Sequence, residues 1–190
     1  EGSLENTNQW YAIAKIAGIK LCESLYLQHG INAISLMPCN LFGPGDNYDL
    51  STSHVLPALI RKFQTAKNNN HEKVTCWGTG KPLREFLYVD DLAEGCIYAL
   101  KNWDITSKNA PLDESNNKLA WLNIGSGKEI SIKELAEKIS DLIGFQGKII
   151  WDKNKPDGTL RKIMDSDKFR ALGWSPKTTL TDGIKIAIND

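Results

Sequence analysis

The sequence predicts an α/β protein, and three observations carry that prediction. Stretches with helical apolar spacing alternate with short apolar runs of strand length, as in residues 10–37 and 54–77. Helix starts are marked by acidic or capping residues, with Asp90 and Asp91 opening one segment and Ser131 and Glu134 forming a capping box in another. Helix ends are marked by Gly30, Gly144 and Gly173.

In chain order, a helix runs from about Trp10 to His29, where Gly30 takes the left-handed terminal position. The apolar run Ile31–Met37 reads as a strand stopped by Pro38, giving one helix-to-strand step of a sheet. Residues 40–53 form a turn-rich loop too long for a mere connector, of the kind that holds sites. Ser53 then caps a helix whose apolar face is Val55, Leu56, Leu59, Ile60 and Phe63, with Pro57 in its tolerant first turn. Strands are expected at 73–77 and 85–89, a helix from Asp90 to about Trp103, and a polar surface insertion over 101–118. A strand at 119–124 ends in Gly125 and Gly127, and the capped helix from Ser131 carries the core stripe Ile132, Leu135, Ile139, Leu142 and Ile143. A strand at 148–151, a turn at 155–159, a short helix over 166–172 and a last helix from about Leu180 complete the chain. There is no internal repeat.

A length of 190 residues suits one domain, or a domain with part of another. The 23 Lys and Arg balance the 23 Asp and Glu, so no overall field draws the chain to nucleic acid or an anionic membrane, and any anion site is local. Cys22, Cys39, Cys76 and Cys96 are scattered without a C-x-x-C pair. That pattern suits small buried thiols in a cytoplasmic protein rather than disulfides or a metal site. No apolar run approaches the roughly 20 residues of a membrane span. The chain begins without Met and almost directly on its first helix, which makes a fragment lacking an N-terminal part the expectation.

Tyr11 and Lys15 are the one pair whose types and spacing propose a reaction, since side chains four apart share a helix face. An ammonium beside a phenol favours its ionised form, the arrangement a tyrosine proton donor needs. On the residues alone, the first reading of the pair is an interfacial tyrosine beside a solvated lysine. His54 reads as a helix-start residue or an acid, Arg84 as a surface partner of Glu85 or Asp90 or as a two-pronged diphosphate ligand, and Lys62 as a basic contact or solvated helix face.

With the small residues Ala12, Ala14, Ala17 and Gly18 around it, the Tyr11–Lys15 helix resembles that of the extended short-chain dehydrogenase/reductase family, which acts on nucleotide-activated sugars. Further stretches resemble one branch of it, the GDP-L-fucose synthases: Pro38-Cys39-Asn40-Leu41, Ser53-His54-Val55, Trp77 in Cys-Trp-Gly-Thr-Gly, Arg84 in Lys-Pro-Leu-Arg-Glu-Phe, and Asp157 in Lys-Pro-Asp-Gly-Thr. The resemblance covers Asn6 to about Leu180 and leaves out 101–118.

The resemblance implies the C-terminal part of a Rossmann-type doubly wound sheet in 1–45 and 85–125, with a smaller α/β substrate domain in 46–84 and 126–190. It implies NADP as cofactor, GDP-4-keto-6-deoxymannose as substrate, a homodimer at full length, and no nucleic acid or membrane partner. Tyr11, Lys15 and His54 fall on catalytic positions. The same three residues with Pro38, Cys39, Asn40 and Leu41 fall at the cofactor, and Lys62, Trp77, Arg84 and Asp157 on the substrate. The glycine-rich dinucleotide turn does not occur in these residues, nor do the family's upstream serine and cysteine base. Another nucleotide-sugar epimerase or dehydratase of the same fold, or a non-catalytic nucleotide-sugar-binding module, therefore stays open.

Overall fold

The computed structural model describes residues 4–190. A 3-10 turn at Asn6–Asn8 leads into helix α1 (Gln9–His29), which ends at Gly30 with φ 66°. Strand β1 (Ser35–Pro38) pairs in parallel with β5 (Trp121–Ile124), and β2 (Asn40–Phe42) pairs in parallel with β4 (Leu83–Tyr88). One residue, Cys39, separates β1 from β2, and its N–H donates to the Ile124 carbonyl at 3.1 Å. The chain thus steps from one sheet directly into the next.

The second sheet is completed by β6 (Glu129–Ser131), antiparallel to the start of β4, and by β8 (Arg161–Lys162), parallel to it. A third pairing joins β3 (Lys73–Trp77) to β7 (Lys148–Asp152) in parallel, with Trp77 opposite Asp152. Helices α2 (Val55–Asn68), α4 (Ile132–Ile143) and α6 (Leu180–Ile188) pack over β3 and β4 around Phe63, Leu135, Ile139 and Ile184, each essentially inaccessible. A second apolar cluster forms where α3 (Val89–Asn102) and α5 (Asp167–Ala171) meet β5, around Leu87, Trp103, Ile124, Phe169 and Trp174. The capping box of α4 forms as the sequence predicts: Ser131 Oγ accepts from the Glu134 N–H while the Glu134 carboxylate accepts from the Ser131 N–H.

Several local expectations are corrected. The first strand begins at Ser35 rather than Ile31, because its partner β5 begins only at Trp121. The loop after Pro38 opens with strand β2, which Asn40 secures by donating to the Glu85 carbonyl at 2.7 Å. His54, not Ser53, is the N-cap of α2, and no side chain makes the capping bond. Residues 101–118 are not a wholly polar surface insertion, since Trp103, Ile105 and Ala110 are buried. The cysteines divide: Cys39 and Cys76 are buried, Cys22 is half-buried and Cys96 is exposed. Strands β6 and β8, three and two residues long, carry too little alternation to register in a sequence. Among the described residues no helix is long and apolar enough to cross a membrane.

Candidate active site

Tyr11 and Lys15 lie on one face of α1, with Lys15 Nζ 5.2 Å from the Tyr11 ring centroid. Helical spacing accounts for that proximity. Tyr11 is 60% exposed, and no residue of α1 with a described side chain is buried. Among the described residues neither member of the pair is engaged in an ion pair, so the ammonium stays available beside the phenol.

Pro38, Cys39, Asn40 and Leu41 stand at the carboxyl end of β1 and the start of β2, where ligands of parallel sheets collect. Burial, followed by the charge of Glu85, pushes the Cys39 thiol up to about 12, so it is an inert hydrophobe and not a base or nucleophile. Glu85 itself is fully buried. Its two carboxylate oxygens accept the Gly127 N–H at 2.7 Å and the Met164 N–H at 3.1 Å, and Gly125 lies so close that a Cβ there would meet the carboxylate at 2.2 Å. Glu85 therefore fixes the chain beyond β5 against β4. It is not available as an ion-pair partner of Arg84.

Of the residues expected at the substrate, Trp77 ends β3, Lys62 lies on α2, Arg84 on β4 and Asp157 in the turn after β7. Trp77 is 58% exposed, and Lys62 places its ammonium 5.4 Å from the indole while donating to the Thr75 carbonyl at 3.0 Å. Lys155, which the sequence reading passed over, places a second ammonium 5.3 Å from the same ring. Asp157 accepts from the Thr79 N–H at 2.6 Å and from the Thr79 hydroxyl at 2.8 Å, and these bonds hold its carboxyl below the usual carboxylate range. Arg84 is half-buried, in no ion pair among the described residues, and sits beside Gly158, where a Cβ would stand 3.6 Å from Nη2. Burial pushes its guanidinium down from its ordinary value. A planar, exposed aromatic surface rimmed by unpaired cations is what a nucleoside diphosphate requires.

The structure thus joins Tyr11 to Lys15 and Lys62 to Trp77, and the turn that carries Asp157 reaches Trp77 through Lys155 and Arg84 through Gly158. Among the described residues no hydrogen bond or ring contact links the first group to the second. His54 is exposed at the start of α2 and touches neither group through such a contact. Lys155 was hidden because the β3–β7 register, 75 residues apart at Trp77 and Asp152, is what carries the later turn up to the indole.

The NAD dependent epimerase/dehydratase family matches residues 1–110. GDP-L-fucose synthase 1 of Arabidopsis thaliana is 54% identical over 182 residues, covering 96% of this chain and 52% of the relative. GDP-L-fucose synthase of Escherichia coli strain K12 is 44% identical over 184 residues, covering 97% and 56%. Among solved structures, MlghC, a GDP-mannoheptose C4 reductase from Campylobacter jejuni with NADP bound, superposes with a TM-score of 0.83 at 35% identity over 99% of this chain and 61% of that one. The chain spans about half the length of the curated relatives it matches.

Proposed function

Because the chain belongs to the NAD dependent epimerase/dehydratase family, we propose that it is part of an NADPH-dependent epimerase and reductase that converts GDP-4-keto-6-deoxymannose to GDP-L-fucose. The observation that carries this reading beyond the family is Trp77, an exposed indole with the Lys62 and Lys155 ammoniums against it, from which the turn at 155–158 runs to Arg84, a set suited to a nucleoside diphosphate. The relatives named GDP-L-fucose synthase supply the sugar. In this reading residues 1–45 and 85–125 belong to the dinucleotide-binding domain, and 46–84 and 126–190 to the substrate domain. The full-length protein is a cytoplasmic homodimer.

The residues present fit the nicotinamide end of such a cofactor: an available ammonium and phenol on one helix face, and the carboxyl end of a parallel strand at Pro38. Tyr11, Lys15, His54 and residues 38–41 would hold it, and when bound it supplies the hydride that reduces the ketone. Lys15 stands beside the phenol and can hydrogen-bond a sugar hydroxyl. Tyr11 gives its proton to the alkoxide formed at the reduced carbon. His54 returns a proton to the carbon beside the ketone from the face opposite to its removal. Lys62 and Arg84 hold the diphosphate, with Trp77 against the nucleotide sugar.

The test is turnover of GDP-4-keto-6-deoxymannose by the full-length protein and its His54→Gln variant in heavy water, with products read by proton NMR. The variant should slow inversion while hydride transfer continues, so that incompletely epimerised reduced sugars accumulate. Correctly inverted product at the wild-type rate would return His54 to a helix-start role. A second reading, a GDP-sugar reductase that does not epimerise, is favoured by the likeness to the GDP-mannoheptose C4 reductase. It predicts reduction with no deuterium at the carbons flanking the ketone.

A further inference from the structure

The turn Lys155–Gly158 lies across the substrate cluster and touches it at both ends. Lys155 sits over the Trp77 ring at 5.3 Å, and Gly158 lies beside the Arg84 guanidinium. Between them, Asp157 clips the turn to the β3–β4 connection through both carboxylate oxygens, Oδ1 taking the Thr79 N–H and Oδ2 the Thr79 hydroxyl. The clip is close: Gly78, at φ 76°, leaves so little room that a Cβ would meet Asp157 Oδ1 at 2.2 Å. The Lys155 N–H also donates to the Asp152 carbonyl at 3.1 Å, which ties the start of the turn to the end of β7.

The Asp157 carboxylate is committed to Thr79 by one bond at each oxygen, which leaves it fewer acceptor sites for a ligand, and its charge would repel a diphosphate. The ammonium it positions has neither drawback, since Lys155 is exposed and in no ion pair among the described residues. We propose that Asp157 is a positioning residue, which fastens the turn to Thr79, and that Lys155 is a third cation for the diphosphate of a nucleotide sugar, acting with Lys62 and Arg84 around Trp77. This inference rests on the nucleotide-sugar reading of the cluster.

The experiment is calorimetry of the full-length protein with GDP and with GMP, together with steady-state kinetics. Lys155→Met keeps the aliphatic stem and removes the charge. It should weaken GDP roughly ten- to hundredfold, weaken GMP much less, and raise the KM for the GDP-sugar with kcat unchanged. Lys155→Arg should restore GDP affinity. Asp157→Asn and Thr79→Val loosen the clip without entering the ligand site, so each should weaken GDP in the wild-type background and have no further effect in the Lys155→Met background. Equal losses from Asp157→Asn in both backgrounds would show that Asp157 touches the ligand directly, and an unchanged GDP affinity in Lys155→Met would remove Lys155 from the site. Either result overturns the inference while leaving the nucleotide-sugar reading in place. Failure of the wild-type protein to bind GDP at all would overturn both.

Discussion

Helices α1 and α4 are both rich in apolar residues, and they differ in what covers them. In α4, Leu135, Ala136, Ile139, Ser140 and Ile143 are buried against neighbouring elements, and Lys133, Glu134, Glu137 and Asp141 face water. In α1, none of the described side chains is buried: Trp10 is 77% exposed, Leu21 61% and Leu27 74%, with Ile13 and Ile16 also outside. The apolar residues of α1 are distributed around the whole helix rather than along one stripe, the pattern of a helix meant for burial on several sides. A helix can therefore be fully specified by local signals and still lack its tertiary partner. The proposed substrate residues Lys62, Trp77 and Arg84 stand on elements packed as α4 is, whereas the Tyr11–Lys15 pair rides on a helix whose covering surface the described residues do not supply.

That contrast can be broken or sharpened, and the largest effect should come from chemistry. In the full-length protein Tyr11→Phe should lower the rate of ketone reduction by roughly 10²–10⁴, the usual worth of a general acid, and leave nucleotide-sugar affinity unchanged. An unchanged rate constant would make α1 a packing element like α4. Next in size is stability. Urea unfolding of the 190-residue chain should show Leu135→Ala costing about 2–5 kcal/mol, as expected for a fully buried leucine, and Leu21→Ala costing no more than about 0.5 kcal/mol. Comparable losses would mean that α1 finds a partner surface within this chain. The smallest effect concerns the caps. Ser131→Ala removes a formed capping box and should cost about 1 kcal/mol, whereas Asn8→Ala removes no side-chain cap bond and should cost a few tenths at most in the same assay.

The same division governs how much was legible in the sequence. Features set by near neighbours were readable: the Gly30 and Gly144 terminators, the Ser131–Glu134 box, the apolar stripe of α4 and the shared face of Tyr11 and Lys15. Features set by distant pairing were not. Glu85 was legible only as a neighbour of Arg84, because its true partners, the Gly127 and Met164 amides, lie 42 and 79 residues away. Strand β2 looked like the opening of a loop because its three residues acquire their identity only from β4. Lys155 looked like part of a turn, and only the β3–β7 register brings it to Trp77. Ser53 fits the N-cap preference of its residue type, yet its hydroxyl ends buried without a partner while His54 takes the cap position, and nothing in the fold accounts for that exchange.

The claim that the nucleotide-sugar cluster is complete in this chain while the cofactor side depends on residues outside it has one direct test, calorimetric titration of the 190-residue chain with GDP and with NADPH. The account predicts saturable binding of GDP and none of NADPH, because Trp77, Lys62 and Arg84 are held by packed elements, Lys155 by the clipped turn, and no glycine-rich turn occurs in these residues to take a dinucleotide pyrophosphate. Binding of NADPH as tight as that of GDP, or no binding of GDP, would contradict it.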